Sequence, residues 1–238
     1  MLDELARDDV LRTVDAMVAE LLDAARITAP PIDVIALAQA HLDFTVCIDS
    51  RQPQRGRAQR TLGKKQIYLK PEPREERHQW TVAHEIGEHL KSELLARLGI
   101  EPGQTRAMVG ESLANLFAQR LLVPTPWFKT DAPSLGYDLL ALKARYATSS
   151  HEVLAMRFLD LPAPCVVTII DNEKVSRRKG NAFALKKALL PIEKRCWEQV
   201  TRTSESATMR EAEWTVTGWP VHELDWKREI LRTERDEW

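Results

Sequence analysis

Apolar residues recur at helical spacing from Asp9 to Arg26, at Val10, Leu11, Val14, Met17, Val18, Leu21, Leu22 and Ala25, so the chain begins with an amphipathic helix. Pro30-Pro31 stops it, and Ile32 to His41 reads as a second, shorter helix. The period then shortens. Phe44 to Ile48 and Gln66 to Lys70 are β-type runs rich in branched and aromatic residues. Between them, Ser50 to Lys65 is polar and basic with two glycines, which predicts a long hairpin connection or a short middle strand.

Pro71 and Pro73 lead into a long helix from about Arg74 to Leu98, followed by breaks at Gly99 and Pro102-Gly103. Thr105 to Val123 makes another helix, ended by Pro124 and Pro126. Tyr137 to Tyr146 and Ser150 to Leu159 read as two short helices, with Ser149 and Glu152 spaced as a capping box. Past Leu161-Pro-Ala-Pro164 the texture changes. Cys165 to Ile170 reads as a buried strand, Asp171-Asn172 as a turn and Pro191 to Thr201 as a helix; Glu213 to Thr217 and Arg228 to Arg232 are further strands. The expected fold is α+β and mostly helical. Residues 1–161 form one unit with a small β-region before the long helix, and residues 162–238 form a small α+β unit.

Composition narrows the function classes. A net charge of -1, with 44% hydrophobic and 29% charged residues, describes a soluble protein with a sizeable core and no bulk field for nucleic acid or membrane. No apolar run approaches the ~20 residues that span a bilayer. The acidic N-terminus lacks the layout of a signal peptide. Cys47, Cys165 and Cys196 are odd in number and widely spaced, as reduced structural thiols are. A cytoplasmic protein is expected.

The long helix carries His84-Glu85-Ile86-Gly87-Glu88-His89, two imidazoles and two carboxylates within six residues. Zinc peptidases supply metal ligands and a general base from one helix in this way, with the histidines four residues apart. Here the second histidine comes five residues after the first, and Glu88 holds the expected position. A helix advances ~100° per residue, so His84 and Glu88 differ by ~40° in direction and His84 and His89 by ~140°. Either Glu88 is the second ligand, or a π-bulge brings His84 and His89 together. The bulged arrangement is the preferred expectation, because imidazole is the better zinc ligand and leaves less negative charge on the ion. In both, Glu85 lies beside the first ligand, where it can deprotonate a water. The expected third ligand is Glu111, on the following helix; His78, His151 and His222 have less context behind them. Tyr137, Tyr146 and His151 are candidates for stabilising an oxyanion.

Several features in order resemble the ImmA/IrrE-type metallopeptidases. They are Pro30-Pro31-Ile-Asp33 before a short helix, the β-region ending in Ile67-Tyr68-Leu69, and Arg77-His-Gln-Trp-Thr-Val-Ala-His-Glu-Ile-Gly87. Glu111-x-x-Ala114-Asn115-x-Phe117-Ala118 with its Leu121-Leu122-x-Pro124 ending is the most specific part, and the helix pair through Arg157-Phe158-Leu159 closes the match. The resemblance implies a gluzincin-like zinc peptidase with His84 and Glu111 as ligands and Glu85 as general base. It also implies a protein substrate, a helix-turn-helix transcriptional repressor, in stress-response or mobile-element regulation. The second ligand departs from the family pattern, and the five-residue spacing resembles the His-Glu-x-x-x-His motif of the dipeptidyl-peptidase III family.

A rival function is a catalytically degenerate relative that acts as a protein-binding regulator. A third is a DNA-binding regulator working through residues 137–161, which are helix-turn-helix-like in outline. The second helix of that pair offers Arg157 against Glu152 and Asp160, so packing is the better expectation. Lys174 to Arg195 is basic, opposed by Glu193, and reads as a solvated face. Trp214, Trp219, Trp226 and Trp238 crowd the last twenty-five residues, where sheet packing explains them and docking of a substrate protein would use them.

Overall fold

The computed structural model of the chain describes residues 7–61, 63–101, 107–183, 186–223 and 226–235. The stripe read along the first segment becomes helix α1 (Arg7–Ala24), with Val14, Met17, Val18 and Leu22 buried. Helix α2 (Val34–His41) starts where Asp33 caps it, its carboxylate accepting the Ala36 N–H at 3.0 Å. Gln79 of helix α3 (Glu75–Arg97) then fastens α2 in place, donating to Asp33 at 3.0 Å and accepting the Val34 N–H at 2.7 Å.

Between α2 and α3 lies a three-stranded sheet of β1 (Phe44–Ile48), β2 (Gly56–Thr61) and β3 (Lys64–Leu69). Its order is β1-β3-β2, with β1 parallel and β2 antiparallel to β3. The polar connection thus contains a strand, and that strand is an edge.

Helix α4 (Ala107–Leu122) packs on α3, Leu113 against Leu95 and Ala114 and Phe117 against Gly87, and its Ala118 and Leu121 are buried too. Under this layer Arg120, 2% exposed, donates to Asp15 at 2.6 Å and to Thr125 at 2.5 Å. The expected helix start at Thr105, the Pro102-Gly103 break and Trp238 lie outside the described residues. Helix α5 (Thr125–Ser134) was not expected, because Pro124 and Pro126 read as stops. Pro126 falls in its first turn, where the missing N–H has no partner to lose. Helices α6 (Leu139–Arg145) and α7 (His151–Arg157) follow, and Phe158–Asp160 form a 3-10 turn.

The remaining strands make a five-stranded antiparallel sheet, in the order β5-β4-β8-β7-β6. They are β4 (Val166–Asp171), β5 (Lys174–Gly180), β6 (Ala207–Glu211), β7 (Trp214–Glu223) and β8 (Trp226–Arg235). Helix α8 (Pro191–Thr203) covers one face, packing Ile192, Cys196 and Val200 against Ile170, Ala207, Val216 and Leu231. The α+β class expected from the sequence is the class observed.

The described residues form two compact units. Residues up to Thr130 with Arg145–Ser150 make one, and Asp131–Ala144 with His151 onward make the other. The division therefore falls elsewhere than Leu161. In the second unit Glu152 accepts from Arg228 at 2.7 Å, the Phe158 ring lies 6.3 Å from that of Trp219, and the Arg232 guanidinium stands 4.2 Å over Tyr137. These contacts tie most of the helix-turn-helix-like segment to the five-stranded sheet. Ser149 makes no capping box: its hydroxyl is buried without a hydrogen-bond partner. Arg157 is buried and paired with Asp160, so it presents no charge to a duplex.

Candidate metal centre

Helices α3 and α4 cross at Gly87. A Cβ there would stand 2.9 Å from the Ala114 Cα and 3.0 Å from its carbonyl oxygen, so a hydrogen at position 87 is what lets the two backbones approach. The approach brings Glu111 and Asn115, one turn apart on α4, to His84 on α3. The Asn115 side-chain oxygen lies 3.2 Å from His84 Nδ1, which places the ring proton on Nδ1 and leaves Nε2 as a lone-pair donor. The Asn115 amide nitrogen donates to Glu111 Oε1 at 3.3 Å, so one side chain orients both.

His84 Nε2 and Glu111 Oε2 are 3.8 Å apart, and with a Glu88 oxygen the three ligand atoms all lie within 4.8 Å of one another. Ligands about 2.0–2.2 Å from a tetrahedral zinc stand about 3.3 Å from each other, a spacing that side-chain rotation reaches from here. One imidazole and two carboxylates are a harder donor set than two imidazoles and one carboxylate, with one more negative charge. Lys91 offsets that charge, its Nζ 2.6 Å from Glu88 Oε2. The Lys91 stem fills the notch left by Gly110, where a Cβ would stand 2.7 Å from the lysine Cδ. The residues present fit a divalent metal.

The expected π-bulge does not form. Helix α3 is α-helical throughout, with Val82, Ala83, Ile86, Gly87 and Leu94 buried at regular spacing. An inserted residue would rotate the part of this stripe beyond it out of the core. His89 consequently stays on another face, exposed, its ring 5.2 Å from Phe44 in an edge-on contact. The structure brings His84, Glu88 and Glu111 together and leaves His89 apart.

Glu85 is half-buried and accepts the Ala58 N–H of β2 at 2.8 Å. Burial pushes its carboxyl above the ordinary range, and the charges of Glu88 and Glu111 add to the rise. The Ala58 bond and His84 oppose it. The other candidates are engaged elsewhere. His78 Nε2 lies 3.0 Å from the Lys70 carbonyl, and His222 bridges Glu229 at 2.6 Å and Ser204 at 3.1 Å. Tyr146 is fully buried with its ring 6.0 Å from Phe128, and Tyr137 stacks under Arg232. His151 begins α7, in the second unit.

Sequence reasoning gave no role to Asn115, Lys91 or the Ala58 backbone. The first was open to it, because Glu111 and Asn115 stand four apart on one helix and share a face. The others depend on which elements pack together.

No curated protein shows significant similarity to the chain. A solved structure, a Mycobacterium tuberculosis transcriptional regulator, superposes with a TM-score of 0.68 at 15% sequence identity, covering 94% of this chain and 76% of that one. At that identity the likeness establishes the fold. Residues 39–158, just over half the chain, match the M78 peptidase family described as the IrrE N-terminal-like domain. They contain His84, Glu85, Glu88 and Glu111, and on this match the chain belongs to that metallopeptidase-type family.

Proposed function

We propose that the protein hydrolyses a peptide bond in a protein substrate, using a zinc ion held by His84, Glu88 and Glu111. The observation that carries this is the convergence of those three side chains beside Glu85, with Asn115 presetting the imidazole. When bound, the ion supplies a Lewis acid for the scissile carbonyl. Glu85 takes a proton from the attacking water and passes it to the leaving amine, a task suited to a carboxylate whose affinity for protons is raised by burial. To do so it gives up the Ala58 N–H. The substrate expected from the family is a DNA-binding repressor, and the fold shared with a transcriptional regulator is in keeping with work in gene control.

A second reading is a relative that binds without cutting. The Lys91 ammonium, which offsets charge when a metal is held, ties up Glu88 Oε2 when none is, and that competition favours it. One experiment separates the two. Purified wild type and Glu85→Gln are titrated with zinc by calorimetry and incubated with candidate repressors. The peptidase binds about one zinc in both forms and cuts only as wild type. A regulator binds its partner alike in both forms and cuts in neither. Loss of zinc in Glu85→Gln would remove the role given to Glu85.

A further inference from the structure

From Arg51 to Lys70 the chain has seven basic side chains and no acidic one, although over the whole protein the charges nearly balance. Its middle is β2, an edge strand that among the described residues pairs with β3 alone. β2 also lies against α3. The Ala58 N–H reaches Glu85 at 2.8 Å, and a Cβ on Gly56 would stand 2.1 Å from Thr81 Cγ2. The basic run therefore passes directly beside the carboxylate assigned as general base. Lys65 is occupied by the Leu42 carbonyl at 3.2 Å, and Arg51 has Asp49 3.9 Å away. Arg55, Arg57, Lys64 and Lys70 are exposed with no carboxylate partner among the described residues, and Arg57 stands 5.5 Å over the Tyr68 ring.

We propose that β2 is a docking strand for an extended acidic peptide, with carboxylates flanking the scissile bond met by Arg55 and Arg57. The assignment rests on the peptidase reading of His84, Glu85, Glu88 and Glu111. An edge strand binds an extended chain through main-chain hydrogen bonds and selects it through alternate side chains. Arginine grips carboxylates with two hydrogen bonds, and a basic strip draws in an acidic chain that three neighbouring glutamates would otherwise repel. Those glutamates disfavour nucleic acid, whose unbroken phosphate charge would run past them. The strip also lacks interleaved aromatics for stacking bases, apart from Tyr68.

The test uses full-length Glu85→Gln protein with one equivalent of zinc and three fluorescein-labelled ten-residue peptides. One alternates glutamate with valine, one has glutamine for each glutamate, and one is the acidic peptide with proline at its centre. Fluorescence anisotropy should show the acidic peptide binding about tenfold tighter than the neutral one, a difference of roughly 1.4 kcal/mol. Arg55→Gln with Arg57→Gln should erase the preference, Lys186→Gln with Lys187→Gln in the other unit should keep it, and the proline peptide should bind weakly. Equal binding of acidic and neutral peptides, an unchanged preference in the arginine variant, or displacement by duplex DNA at lower concentration than by peptide would each overturn the proposal. Arginine-dependent binding of a peptide that zinc-loaded wild type leaves uncut supports the docking strand and removes the hydrolase. Cleavage indifferent to the arginines does the reverse.

Discussion

Gly87 of α3 and Ala114 of α4 touch backbone to backbone, and this contact sets the spacing of the candidate metal centre. Glu111 sits one turn before Ala114 and Asn115 directly after it, so whatever separates the helices moves both away from His84. A Gly87→Ala methyl has no flexible side chain to push aside, because the nearest atoms it meets are Ala114 backbone and the next is the Phe117 Cβ at 3.2 Å. The expected cost is about 1–3 kcal/mol of stability from overpacking. Zinc affinity should fall with it. Thermal melts and zinc titration of the same preparation check both, and a variant as stable and as tight as wild type would show that the helices part without consequence.

The second ligand is decided by two single changes. With α3 unbulged, Glu88→Ala should abolish stoichiometric zinc while His89→Ala keeps it. Metal analysis of dialysed protein gives the answer. Zinc lost in His89→Ala and retained in Glu88→Ala would mean that the helix rearranges when the ion binds.

Asn115→Ala tests orientation rather than ligation. The ring of His84 would lose the acceptor at Nδ1, and zinc should bind roughly 10–100-fold more weakly, as for other partners of metal-bound imidazoles. Asn115→Asp keeps an acceptor at that position and should recover most of the affinity. Equal weakening in both variants would point to general damage to α4.

The fully buried Glu193 accepts from Arg178 at 2.8 Å, from the Leu190 N–H at 2.7 Å and from Thr233 at 2.5 Å. Glu193→Ala would strand Arg178 in the interior, at a cost of about 3–5 kcal/mol. A denaturant midpoint within error of wild type would contradict that network.

Thiol reactivity reports the packing of α8. Burial, with help from the Glu193 charge, pushes the Cys196 thiol up to about 11, and burial raises that of Cys165. Thiolate is the reactive form, so at pH 8 about one Cys196 in a thousand is ionised, and the fraction grows as pH rises toward 11. Iodoacetamide at pH 8 should therefore modify half-buried Cys47 first and reach the other two after unfolding. Mass spectrometry of the labelled peptides reads the order directly. Early labelling of Cys196 would mean that α8 does not cover the sheet.

Much of this was open to inspection of the chain. The apolar stripes of α1 and α3, the branched runs of β1 and β4, and the His84-Glu85 pair with Glu111 a helix later all follow from local periodicity and residue chemistry. The short strand β6 and the hydrophilic β2 and β5 were less legible, because alternation in a polar strand carries no apolar signal. In the basic run from Lys174 to Arg195, the Arg178 side chain proved to be buried, since a charge alone does not say which carboxylate awaits it.

The choice between Glu88 and His89 marks the boundary. Sequence spacing left a regular and a bulged helix both open, and ligand chemistry alone favoured the bulge. What settled the direction of each side chain was the burial of Val82, Ile86, Gly87 and Leu94 against neighbouring elements, which holds α3 regular. Local composition determined which groups of what chemistry the helix carries. Packing determined which of them face one another, because rotating a helix by one residue exchanges its buried face and no short-range preference is strong enough to oppose that.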